Sequence, residues 1–72
     1  MKRLSKSEKA RFQEMGRNAF KAGLPSMPIR DAALMKEVYE TNDMRMSAKK
    51  MEAWASGWHQ ENASNANELL EA

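Results

Sequence analysis

Trp54-Ala55-Ser56-Gly57-Trp58, near the C-terminal end, and the small residues Gly16, Ala19, Ala22 and Gly23, near the other end, decide how this chain folds. A glycine inside a helix costs about 1 kcal/mol relative to alanine, so Gly16 in a helical stretch needs a reason. Close approach of a bulky partner supplies one, and the two tryptophans are the bulkiest partners in the chain. The expectation is a helix near the start whose side-chain-poor strip receives the indoles of a helix near the end.

Composition restricts the alternatives. Seventy-two residues make one domain, of a size at which a hydrophobic core is marginal. The large apolar side chains are dominated by seven Met, with two Trp, two Phe and one Tyr. Ile and Val occur once each, which argues against sheet, while abundant Ala, Met, Glu, Lys and Leu argue for helix. The expected architecture is all-α, a small bundle of three short helices with a Trp/Met/Phe core. The absence of cysteine excludes a disulfide framework and a thiolate metal site and fits a reducing, cytoplasmic setting. The basic start lacks the apolar stretch of a secretory signal, and nothing approaches the length of a membrane span.

Local signals place the elements. Ser5-Lys6-Ser7-Glu8 has capping-box spacing, and Phe12, Gly16, Ala19, Phe20 and Gly23 recur on one stripe, with Met15 at its margin. Gly23 followed by Pro25 is a strong stop, so helix 1 is expected at about residues 6–22. Pro28 suits a first-turn position and Asp31 a helix start, which puts helix 2 just after Pro28, with Leu34, Met35, Val38 and Tyr39 as its apolar stripe and Asn42-Asp43 as its end. Ser47 is the expected cap of helix 3, whose Ala48, Met51, Trp54, Ala55 and Trp58 share a side. In outline, residues 1–5 form a basic arm, 6–61 one helical domain, and 62–72 a frayed or helical acidic tail.

Charge is distributed unevenly. Residues 1–30 carry eight Lys/Arg against two acids, a balance of +6, and residues 31–72 carry four against eight, a balance of −4. A basic end joined to an acidic end suggests that the first third meets a polyanion. The candidate contacts are Lys2, Arg3, Lys6, Lys9, Arg17 and Lys21: Lys6, Arg17 and Lys21 are expected on the side of helix 1 opposite its apolar stripe, with Lys9 flanking them and the arm carrying Lys2 and Arg3 extending the face. With the aromatics in the core, recognition would fall to charge and shape. Methionine suits adaptable partner surfaces, so Met35, Tyr39, Met44 and Met46 are candidate contacts for a partner protein. Catalysis finds little support. The lone His59 has neither cysteine nor a spaced acid pair beside it, and no phosphate loop or calcium loop is present. No cofactor or metal is expected.

The block Gly16-Arg17-Asn18-Ala19-Phe20-Lys21-Ala22-Gly23, then Pro28, then Trp54-Ala55-Ser56-Gly57-Trp58, resembles the ribosome modulation factor family. That family combines a G-x-x-A-x-x-A-G helix, a connector proline and a W-x-x-G-W helix in short, basic, mostly helical proteins of bacteria, phages and plasmids. The motif maps onto Gly16, Ala19, Ala22, Gly23, Pro28, Trp54, Gly57 and Trp58, about a quarter of the chain. Ile29 stands where the family has an aromatic, and the stretch from Pro28 to Trp54 is longer and more acidic than the family's. The resemblance implies a non-enzymatic modulator that binds ribosomal RNA or the ribosome and inhibits translation by occlusion. The alternative is a phage-type effector that grips a host protein, such as RNA polymerase or a defence or nuclease component, through the acidic, Met-bearing insert.

Overall fold

The computed structural model describes residues 4–71 and contains three helices and no strand among them. Helix α1 spans Lys6–Lys21, α2 spans Ala32–Tyr39 and α3 spans Met44–Glu71, with a single 3₁₀ turn at Pro28–Arg30. The all-α expectation stands.

Helix α1 opens on the capping box read from the sequence. Ser5 Oγ accepts the Glu8 N–H at 3.1 Å, and the Glu8 carboxylate accepts the Ser5 N–H at 3.4 Å. It closes on a Schellman motif, with Leu24 N–H donating to Ala19 O at 2.9 Å and Gly23 N–H to Phe20 O at 3.0 Å. Gly23 takes φ +85° there, the backbone conformation that a side chain disfavours.

The next two boundaries differ from expectation for one reason: aspartates cap better than the residues first assigned. Pro28 opens only the 3₁₀ turn, and α2 starts after Asp31, whose Oδ1 accepts from Ala33 N–H at 3.1 Å and Leu34 N–H at 3.3 Å. Asp43 does not end α2, which stops at Tyr39; it caps α3 instead, accepting from Arg45 N–H at 2.9 Å and Met46 N–H at 3.3 Å. Helix α3 therefore begins three residues before Ser47. It also runs unbroken through Asn62–Asn67, in the tail for which the sequence allows either a frayed or a helical state. Asparagine is only a weak helix former, and no glycine or proline follows Gly57 to force a stop.

Helices α1 and α3 run in the same direction, with Phe12 beside Lys50, Gly16 beside Trp54 and Trp58, and Arg17 beside Gln60. The connector and α2 return the chain between them. Phe12, Ala19, Leu34, Ala53 and Trp54 form the buried core, with Leu4, Met15, Leu24, Val38, Met51, Ala55 and Trp58 packed around it. Among the described residues no methionine is fully buried, so the expected Trp/Met/Phe core is in fact Trp, Phe, Leu and Ala, with Met15 and Met51 at its margin.

The small residues serve backbone approach, not a groove for indoles. A Cβ on Gly16 would overlap the Trp54 carbonyl oxygen and lie 2.8 Å from Trp58 N. A Cβ on Gly57 would lie 2.6 Å from the carbonyl carbon of Gln13. The two main chains touch at this crossing. Ala22 and Gly23, grouped with Gly16 and Ala19 in the sequence, are exposed beyond the last turn of α1, and a Cβ on Gly23 would meet nothing within 4 Å.

The indoles point across the bundle to the connector. Trp54, with no exposed surface, donates through Nε1 to Asp31 Oδ2 at 2.7 Å. Trp58 donates through Nε1 to Leu24 O at 2.9 Å and meets Phe20 edge to face, with centroids 5.1 Å apart. Asp31 thus caps α2 with one carboxylate oxygen and holds Trp54 with the other.

Candidate nucleic-acid interface

Helix α1 presents its basic residues to one side of the crossing with α3. At 100° per residue, Lys6, Lys9 and Lys21 fall within about 120° of arc. All three are exposed, and none makes an ion pair among the described residues. From Lys6 to Lys21 the row extends about 22 Å at 1.5 Å per residue. Lys21 lies opposite the apolar stripe, as the periodicity suggests, but the row as a whole does not. It begins at the rim of the seam, because the Gln13 backbone, between Lys9 and Arg17, is in contact with Gly57.

The other candidates are placed differently. Arg17 bonds Gln60 Oε1 across the seam at 2.7 Å and pairs with Glu14 at 3.4 Å, so it ties α1 to α3 and is not a free cation. Gln60 in turn donates to Ser56 Oγ at 3.3 Å, which makes Arg17, Gln60 and Ser56 a polar rung beside the lysine row. Lys2 and Arg3 lie outside the described residues. Arg11, outside the candidate set, forks onto both oxygens of Glu37 at 3.1 and 3.2 Å and lies over the Phe12 ring. That hydrogen bond is the main cause holding the Glu37 carboxyl below its ordinary pKa, and it raises that of Arg11.

The acids of the insert are mostly engaged too. Asp31 and Asp43 cap helices, Glu37 holds Arg11 and Glu52 pairs with Lys49 at 3.6 Å, which leaves Glu40 as its acid with no hydrogen bond or ion pair to its side chain among the described residues. The insert therefore offers little net negative charge: from Pro28 to Trp54 its five acids are balanced by five Lys/Arg.

The four candidate partner-contact residues separate into two places. Met35 and Tyr39 line a shallow recess on the outer face of α2 with Ile29, Ala32, Lys36 and Glu40. Met44 and Met46 line another beside Glu8, Thr41, Asn42 and Lys50. Ile29 was not among the candidates, yet it is 66% exposed, beside Tyr39 at 76%. Ile29 lies in the 3₁₀ turn, before α2 begins, and so is not part of the α2 stripe.

Among the described residues no three His, Asp or Glu side chains converge on one point, and no helix is long and apolar enough to cross a membrane. Comparison with protein-family models, curated proteins and solved structures finds no match to the chain.

Proposed function

We propose that this protein is a small non-enzymatic modulator that binds ribosomal RNA or the ribosome through the lysine row of α1 and lowers translation by occluding a surface. One observation carries the reading: Lys6, Lys9 and Lys21 stay exposed and without an ion pair among the described residues, on a helix pinned to α3 by main-chain contact. Other charges nearby have partners on the protein itself, among them Arg11, Arg17, Asp31, Glu37 and Asp43. A fixed row of free cations suits a phosphate backbone, and its affinity falls as salt rises. The G-x-x-A-x-x-A-G and W-x-x-G-W pattern supports the ribosomal target.

The test is co-sedimentation with ribosomes across a salt series. The protein is expected in the ribosome pellet at low salt and released as salt increases. The combined variant Lys6→Glu, Lys9→Glu, Lys21→Glu is expected to keep its helical circular dichroism and lose the pellet. Binding that persists in the variant would remove the lysine row from the mechanism.

A second reading, an effector that grips a host protein, is favoured by the exposed Ile29, Met35 and Tyr39 on α2. It would work chiefly by apolar contact, since all of the insert's acids but Glu40 are engaged. Recovery of one host protein after nuclease treatment, lost on Tyr39→Ser, would favour it over ribosome binding.

A further inference from the structure

Resting on the RNA-binding reading above, we propose that the lysine row takes paired RNA, reading the phosphate backbone of a stem by charge and shape, and not unpaired bases. Proteins that hold single strands combine a basic groove with aromatic faces on which bases stack. This chain has the row, but the rings nearest to it are packed on one another. Phe12 and Trp54 have no exposed surface. Phe20 and Trp58 are half-buried edge to face against each other, and the Trp58 N–H is held by Leu24 O.

The remaining flat groups lie elsewhere. Tyr39 sits on α2, which α1 meets through Arg11 and Glu37. Arg11 is about 140° around α1 from Lys6 and about 160° from Lys9; Lys21 is about 80° away but about 15 Å further along the helix. His59 stands about 160° around α3 from Gly57, the residue in contact with α1, and its Nε2 lies 3.1 Å from Ser26 Oγ. Phe20 is the ring next to Lys21, and it packs edge to face on Trp58, which in turn meets His59 edge to face; Lys6 and Lys9 lie about 21 and 16 Å along the helix from Phe20, so no freely exposed ring stands beside them among the described residues.

Rigidity favours the same ligand. The Gly16–Gly57 crossing and the Arg17–Gln60 bond fix the row relative to α3. A stem presents phosphates already ordered, whereas a single strand must lose conformational freedom to line up with fixed cations and gains no stacking in return.

Fluorescence anisotropy with two RNAs of equal phosphate number, a hairpin stem and an unpaired strand, tests this at fixed low salt. The full chain is expected to bind the stem at least about tenfold more tightly, with log K falling linearly with log salt. Tyr39→Ala should leave stem affinity within about twofold. An unpaired strand bound as tightly as the stem, or a tenfold loss on Tyr39→Ala, would overturn the preference for paired RNA while leaving the ribosomal reading in place. Binding of neither RNA, with the protein also missing from the ribosome pellet, would remove the reading beneath it.

Discussion

Helix α3 holds the molecule together in two ways, and the two regions it holds behave as opposites. Toward α1 it presents Gly57, and the join exists because side chains are missing. Toward the connector it presents Trp54 and Trp58, and the join exists because two indole N–H groups find acceptors at Asp31 and Leu24. The seam tolerates no added atom, and the connector tolerates no lost partner. Steric exclusion is read from residue size along a periodic stripe. A hydrogen bond between residues 23 or 34 positions apart is not.

The seam should be the more fragile. Gly16→Ala places a methyl group against a carbonyl of α3, where neither main chain can turn aside, so the helices must part. Overpacking with a movable neighbour costs about 1–3 kcal/mol, and this site falls at or above the top of that range. For a domain of this size the melting temperature should fall by about 15 °C or more. Gly57→Ala should do the same, and the double variant should cost less than the sum, since one methyl already opens the crossing. Gly23→Ala is the control: its φ is strained for alanine but the space is open, so about 1 kcal/mol is expected. Equal melting curves for Gly16→Ala and Gly23→Ala would refute a seam made by main-chain contact.

The connector is tested at Asp31. Asp31→Asn keeps an oxygen that can cap α2 but turns an N–H₂ toward the Trp54 N–H, donor against donor. Leaving such a part-buried group unpaired costs about 1–3 kcal/mol. Urea unfolding should show that loss without a change in helical content at low denaturant. Trp54→Phe breaks the same bond from the other side and also leaves a gap in the core, so it should cost more than Asp31→Asn. The reverse order would mean that the ring, and not its N–H, never mattered to the connector.

The boundary between legible and illegible follows the same division. Ser5 with Glu8, Gly23 with Pro25, and the stripe of Phe12, Gly16 and Ala19 carry their meaning within a few residues, and each lies in the structure where the sequence placed it. Ala22 misled because its spacing continues the strip after the helix has ended. Asp31 and Asp43 misled because Pro28 and Ser47 are good start residues that lie near better ones. In the candidate interface, the exposure of Lys6, Lys9 and Lys21 follows from helix period, but the loss of Arg17 to Gln60 spans 43 positions that no local pattern connects.

The smallest expected effect tests whether α2 leans on α1 through charge. Arg11 and Glu37 form the ion pair between these helices, but the Arg11 side chain is 51% exposed, so water screens the pair and about 0.2–1 kcal/mol is the expected worth. The Glu37 carboxyl titrates below its ordinary range, chiefly through the Arg11 hydrogen bond, against an opposing desolvation. Its folded pKa therefore lies below its unfolded one. The stabilisation is fully present above the unfolded value and disappears as pH falls through the folded one. Glu37→Gln should be slightly less stable than the parent at neutral pH, and the gap should close in acid and in high salt. A gap of constant size from neutral to acid pH would show that Glu37 supports α2 through packing of its side chain, and that the connector region owes its position to the two indoles alone.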